Sequence, residues 1–262
     1  MVRVLSAVVL LSIVVGTIWF LPPGATIALA AVAAAFAFAE YAHLAEALGA
    51  RVPRLLAGAT VVAACLAVGG ALPAELVLLS AFLVIGVFAV ATGSPGPPVL
   101  RDVAASVMPL LYIGLPLGSL AAVRVLGGRE AVMLLLVTIV VSDSAQYYTG
   151  RALGRRPLAP SISPKKTMEG AAGGVVLGTA AMTVGGLQLF PAAGAAKLLV
   201  ASAAVVLLGI AGDLFESLLK RSAGVKDSSH LIPGHGGVLD RIDSWLFAGP
   251  AYYMFIRSIQ AS

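Results

Sequence analysis

The sequence predicts an all-α integral membrane protein, with about nine spans and a cytoplasmic N-terminus, and three observations carry that prediction. Of 262 residues, 60% are hydrophobic and 11% charged, whereas a soluble domain carries roughly 25% charged residues; mean hydropathy is +1.01. Apolar runs of about 20 residues, the length needed to cross hydrocarbon, recur near 4–21, 25–45, 54–73, 75–93, 103–123, 130–148, 170–189, 195–215 and 242–259. Lipid offers backbone N–H and C=O groups no partner, so each run must bond within itself as a helix. The basic residues are also distributed unevenly. With nine spans, the N-terminal side collects Arg3, Arg51, Arg54, Arg101, Arg151, Arg155, Arg156, Lys165, Lys166, Lys220, Arg221, Lys226 and Arg241, and the other side Arg124, Arg129, Lys197 and Arg257. That is 13 against 4 of the 17 Lys and Arg, which places the N-terminus and the two large polar segments in the cytoplasm and the C-terminus outside.

Taken in order, the first run follows Arg3 but is long and lacks a small-residue cleavage site before Pro22 and Pro23, so it reads as a retained span. The second carries Glu40 and His43, three apart on one helical face, which reads as an interhelical or interfacial hydrogen-bonding pair. Cys65 in the third is the only cysteine, which excludes disulfides within the chain and thiolate metal clusters; it reads as a small packed side chain. Residues 1–130 are therefore transmembrane helices with little chemistry, and residues 131–262 form a catalytic region interrupted by two polar segments, Ser142–Gly170 and Asp213–Ser244. Both exceed the usual connection between neighbouring helices. In the seventh run Gly170, Gly174 and Gly178 recur every four residues, a face that admits a close helix neighbour. Arg151, Arg155 and Arg156 read as a solvated or headgroup-facing run. No internal repeat suggests the inverted halves of a transporter.

The residues that could carry chemistry lie in the two polar segments. Asp213 is an acid near membrane depth, a functional candidate because burying it is costly. It shares a helical face with Glu216, Ser217 and Lys220; an ordinary solvated helix end with a Glu216 to Lys220 pair is the alternative. Asp240 and Asp243 project from one side of a first helical turn, where capping competes with ligation. Asp213 and Asp240 flank a loop rich in Gly, His and Lys, and hard oxygens from two helix ends suit Mg²⁺ and phosphate together. Within that loop, Lys226 and Asp227 precede Pro233, Gly234, His235, Gly236 and Gly237, where glycines let backbone N–H groups approach an anion; His230 reads as a loop residue. Upstream, Ser163, Lys166, Thr167 and Glu169 open a helix whose N-terminus favours anions, although Lys165 and Lys166 also fit a positive-inside marker. Asp143 near the end of the sixth run points the same way.

Together these residues resemble the phosphatidate cytidylyltransferases. The family signature is matched by Ser217-Leu218-Leu219-Lys220-Arg221, then Lys226-Asp227, then Pro233-Gly234-His235-Gly236-Gly237, then Asp240-Arg241-Ile242-Asp243. Upstream, Ser163 to Gly170 and the series Asp143, Tyr147, Gly150, Arg151 also resemble the family, with Gln146 where a small residue is expected and Met168 where an aromatic is common. The motifs cover roughly residues 140–245.

The resemblance implies transfer of the cytidylyl group of CTP to phosphatidic acid, giving CDP-diacylglycerol and pyrophosphate at the cytoplasmic face of the cell (inner) membrane. It implies Mg²⁺ and a second, potassium-like cation (K⁺). Asp213 and Asp240 are expected to hold the metal, with Asp243 and Asp227 supporting it. Lys166, Lys220, Arg221, Lys226 and Arg241 are expected to neutralise phosphate, beside Asp143, Ser163, Thr167, Glu169, Ser217, His235, Gly236 and Gly237 as substrate contacts. The partners implied are CTP, phosphatidic acid and the bilayer, with no nucleic acid and a possible homodimer. A CTP-dependent enzyme acting on another lipid, such as a polyprenol kinase or an ether-lipid cytidylyltransferase, is the nearest alternative, and a secondary transporter a more distant one.

Overall fold

The computed structural model describes residues 2–260. It consists almost entirely of helices: α1 (Val2–Phe20), α2 (Pro23–Ala47), α3 (Arg54–Val68), α4 (Ala74–Thr92), α5 (Pro98–Pro109), a π-helical turn (Leu110–Gly114), α6 (Leu115–Leu153), α7 (Met168–Leu189), α8 (Ala195–Ser222) and α9 (Leu239–Gln260). Helix forms within every apolar run read from the sequence, although α3 ends at Val68, short of the expected residue 73. By length and composition five described segments are suited to cross a membrane, namely α2, α4, the stretch Pro98–Leu153, α7 and α8. The chain is thus a multi-pass membrane protein by its helices, and most of α4 presents Leu76, Leu79, Phe82, Leu83 and Val87 outward, as a lipid-facing helix does.

Two departures from a plain all-α reading stand out. The polar segment after α6 contains a two-stranded antiparallel hairpin, β1 (Pro157–Ala159) with β2 (Ser163–Thr167). The stretch Pro98–Leu153 is a single run of helix by hydrogen bonding, but Gly128, at φ 81° and ψ −179°, breaks it between the two expected spans. Pro109 lacks an N–H to continue the ladder, and the turn that follows it is π-helical.

The chain divides into two compact units, Met1–Val125 with Leu219–Ile242, and Leu126–Leu218 with Asp243–Ser262. Packing therefore follows a different division from the one drawn on chemistry at residue 130, because the loop after α8 belongs with the N-terminal helices. In the first unit, α3 lies tightly on the segment after α5. A Cβ on Gly114 would come 2.8 Å from the Val61 carbonyl, and one on Gly118 would come 2.6 Å from the Cys65 carbonyl. Cys65 itself is fully buried, a packed small side chain.

In the second unit, the stripe Gly170, Gly174 and Gly178 of α7 packs on α6. A Cβ on Gly170 would stand 2.7 Å from the Gln146 carbonyl and one on Gly178 2.9 Å from Ser142 Cβ. The long Gln146 side chain lies over Gly174, so the larger residue is accommodated by the missing Cβ opposite. Gly212 of α8 plays the same part against α9, where a Cβ would come 2.6 Å from the Asp243 carbonyl, and Phe215 and Phe247 pack nearby with ring centroids 5.5 Å apart.

Candidate functional site

Two clusters of charged side chains take shape, one in each unit, and α8 contributes to both. In the second unit a cavity of about 470 Å³ is lined by Asp143, Gln146, Tyr147, Gly150 and Arg151 of α6, by Ser163, Lys165, Lys166 and Thr167 of β2, by Gly170 and Ala171 of α7, and by Asp213 of α8. The hairpin exists to deliver this lining. Ser163 and the consecutive residues Lys165, Lys166 and Thr167 of β2 bring hydroxyl and ammonium groups to the cavity, and Thr167 then caps α7 by accepting from Gly170 N at 3.1 Å. Lys166 forms an ion pair with Asp213, each about a quarter exposed. Asp143 is held by Gln146 Nε2 at 3.1 Å, and Arg151 donates to the Tyr147 hydroxyl at 3.3 Å. Three cations, two carboxylates and three hydroxyls thus face one space.

Of the expected residues, Asp143, Ser163, Lys166, Thr167 and Asp213 meet here. Glu169 acts elsewhere. Its carboxylate accepts from the backbone N–H groups of Arg155 at 3.0 Å and Arg156 at 3.2 Å, which pins the turn leading into β1. All three arginines of the run Arg151, Arg155 and Arg156 are exposed, and of them Arg151 lines the cavity. Met168 is half exposed, so its difference from an aromatic falls on an outward position.

The second cluster lies in the first unit, around Asp240 in the first turn of α9. Lys220 pairs with Asp240 Oδ1, with 11% and 5% of the two side chains exposed. Asp240 Oδ2 accepts from Ser228 N at 2.9 Å, Ser228 Oγ at 2.8 Å and Gly237 N at 2.8 Å. Burial alone raises the pKa of this carboxyl, but the Lys220 ammonium and the backbone donors outweigh it and hold the group at about 2. Gly236 and Gly237, expected to approach an anion of the substrate, instead admit two of the protein's own carboxylates. A Cβ on Gly236, whose φ is +80°, would come 2.5 Å from Asp240 Oδ2, and one on Gly237 would collide with Ser228 Oγ and Glu40 Oε2.

The rest of the loop folds around this pair. Gly224, at φ +73°, ends α8 with Val225 N donating to the Lys220 carbonyl at 2.9 Å. Arg221 donates to the Val225 carbonyl at 3.2 Å, securing that end. A turn closed by Ile232 N to Gly236 O at 2.8 Å carries His235, whose Nδ1 lies 2.8 Å from Ser6 Oγ of α1. Lys226, Asp227, His230 and Arg241 are exposed, and Ser217 is half-buried on α8. Asp243, inside α9, accepts from the N–H of the next residue, Ser244, at 2.7 Å, which is not the reach of an N-cap. Two residues missed as site members belong to this cluster. Glu40 of α2 is 4% exposed and accepts four hydrogen bonds from the loop, and Ser228 joins it to Asp240.

No group of three or more His, Cys, Asp or Glu side chains capable of holding a metal occurs among the described residues. The donor chemistry is nevertheless that of a hard cation. Asp143 and Asp213 line one cavity, and Asp213 and Asp240 each meet a lysine ammonium, a position where carboxylate oxygens can exchange one cation for another. Carboxylate oxygens are the donors Mg²⁺ takes, and Asp143 and Asp213 are the two that share one cavity.

Residues 1–259 match the model of the cytidylyltransferase family. The chain is 42% identical over 138 residues to an uncharacterised protein, YnbB, of Escherichia coli K12, covering 53% of this chain and 46% of that one. It is 39% identical over 155 residues to a phosphatidate cytidylyltransferase of Helicobacter pylori J99, covering 59% and 58%. It is 36% identical over 188 residues to a phosphatidate cytidylyltransferase of Thermotoga maritima, covering 70% of each. Matched segments span about half the length of most of these curated relatives.

Proposed function

Because the chain belongs to the cytidylyltransferase family, we propose that it transfers the cytidylyl group of CTP to phosphatidic acid, forming CDP-diacylglycerol and pyrophosphate at the cytoplasmic face of the inner membrane. The observation that carries this reading is the cavity of the second unit, where Arg151, Lys165 and Lys166 stand with Asp143 and Asp213 and the hydroxyls of Ser163 and Thr167. Such a lining suits a polyanion that brings its own divalent cation. The basic asymmetry of 13 residues against 4 supports nine spans with that cavity on the cytoplasmic side, where CTP is found.

In the reaction, a non-bridging oxygen of the lipid phosphate bonds to the α-phosphorus of CTP. The bond from that phosphorus to the α,β-bridging oxygen breaks, and its electron pair leaves on pyrophosphate. The nucleophile is already ionised, so neither a covalent intermediate nor a dedicated base is required. Catalysis then rests on positioning and on charge neutralisation. Lys166, Lys165 and Arg151 bind phosphate oxygens, while Ser163 and Thr167 donate hydroxyl hydrogens. Lys220, Arg221, Lys226 and Arg241 supply further positive charge toward the two anionic substrates. Asp213 and Asp240, with Asp243 and Asp227 in support, are the carboxylates that would hold Mg²⁺. When bound, Mg²⁺ neutralises the phosphates and the pyrophosphate leaving group.

Asp213→Ala and Asp240→Ala are each expected to abolish transfer by the folded chain in detergent. Full activity in either variant would refute its assignment. A polyprenol kinase is distinguished by its products, because it would release CDP from CTP instead of pyrophosphate.

A further inference from the structure

We infer that Glu40, in the N-terminal helices that otherwise carry little chemistry, is a positioning residue that fixes the orientation of Asp240 through the Ser228 hydroxyl. The inference rests on the reading of Asp240 as a working carboxylate in this reaction. Glu40 Oε1 accepts from Ser229 Oγ at 2.7 Å and Val238 N at 2.9 Å, and Oε2 from Ser228 Oγ at 2.9 Å and Leu239 N at 2.8 Å. Each oxygen is therefore engaged by one hydroxyl and one backbone N–H. Val238 immediately precedes α9 and Leu239 is its first residue, so a carboxylate on α2 supplies the acceptor that the free donors at this helix start require. The same contacts span 188 to 199 residues of sequence, which ties the loop before α9 to a helix that is rigid by its own hydrogen bonds.

The link to Asp240 is a single hydrogen. Ser228 Oγ lies 2.9 Å from Glu40 Oε2 and 2.8 Å from Asp240 Oδ2, and one hydroxyl hydrogen serves both carboxylates. Ser228 N and Gly237 N complete the set on Oδ2. Oδ2 is thus committed to the loop, and Oδ1, which faces Lys220, is the oxygen left to deal with a cation or substrate. The absence of a side chain at Gly237 is what admits Glu40 and Ser228 to these positions.

Three variants separate positioning from simple stability. In Glu40→Gln, hydroxyls can rotate to accept from the amide but a backbone N–H cannot, so one of Val238 N or Leu239 N faces another donor. Ser228→Ala removes only the shared hydroxyl and leaves the Ser228 N–H in place. The readouts are hydrogen exchange of residues 226–241 in the detergent-solubilised full chain, and kcat and KM for CTP. Glu40→Gln is expected to speed exchange at Val238 and Leu239 and to lower kcat on the order of 10- to 100-fold with little change in KM, the scale on which misplaced groups act. Ser228→Ala is expected to lower kcat about 10-fold on the same reasoning.

Adding Ser228→Ala to Glu40→Gln should cost little beyond Glu40→Gln alone, since one residue acts through the other. Accelerated exchange with unchanged kcat in the folded variants, or full additivity in the double variant, would overturn the inference. Unchanged exchange would overturn the anchoring itself. If the wild-type chain transferred no cytidylyl group, the proposed function would fail while the exchange measurement still tested the anchor.

Discussion

Replacing Lys220 with methionine keeps most of the aliphatic stem and removes the charge, leaving the Asp240 carboxylate with 5% of its side chain exposed and no ammonium at Oδ1. Breaking a buried pair in this way typically costs about 3–5 kcal/mol. Here the cost is placed lower, because Ser228 N, Ser228 Oγ and Gly237 N still donate to Oδ2. The expected loss is therefore about 2–3 kcal/mol. Lys166→Met breaks a pair whose side chains are 24% and 26% exposed, and solvent screening limits that loss to about 1 kcal/mol or less. Thermal unfolding in detergent at neutral pH, followed by tryptophan fluorescence, compares the two. Lys220→Met should unfold at the clearly lower temperature. Because the folded pKa of Asp240 is depressed, its contribution is fully present above its ordinary value and disappears as pH falls through about 2. The gap between wild type and Lys220→Met should accordingly hold at pH 7 and narrow below about pH 4. Equal losses in the two lysine variants, or a gap that widens in acid, would refute the reasoning.

Gly174→Ala should destabilise the second unit, because its Cβ would enter the space taken by the Gln146 side chain; combining it with Gln146→Ala should restore the unfolding temperature, and failure to do so would remove that explanation. Lys166→Met and Arg151→Met should raise KM for CTP about 10-fold or more each, as loss of a charge-assisted contact does, whereas Arg155→Met, on the exposed turn, should leave it unchanged. A reporter fused after Ser262 should report an outside C-terminus; cytoplasmic behaviour would contradict the nine-span topology.

The helices are legible because hydrocarbon imposes a length and a composition that a sequence displays directly. The break between the fifth and sixth expected spans falls where Gly128 leaves helical geometry, and the glycine stripe of α7 packs as its four-residue spacing implies. The hairpin β1–β2 is not legible: strands of 3 and 5 residues within a Pro-rich and Lys-rich loop carry too short a pattern. Asp213, Lys166 and Asp143 stand out by motif position, and they meet in one cavity. What sequence does not supply is the partner of each group. Gly236 and Gly237 look like an anion cradle until Asp240 and Glu40 are seen in the space, and Glu40 reaches them from about 190 residues away. Likewise nothing adjacent in sequence ties His235 to Ser6, 229 residues earlier.

The central claim is tested most directly by supplying the purified full chain in phosphatidate-containing vesicles with labelled CTP and Mg²⁺ and measuring both products. The account predicts CDP-diacylglycerol and pyrophosphate in equal amounts, dependent on Mg²⁺ and lost in Asp213→Ala. CDP as the nucleotide product, or no turnover of CTP with phosphatidate, would contradict it.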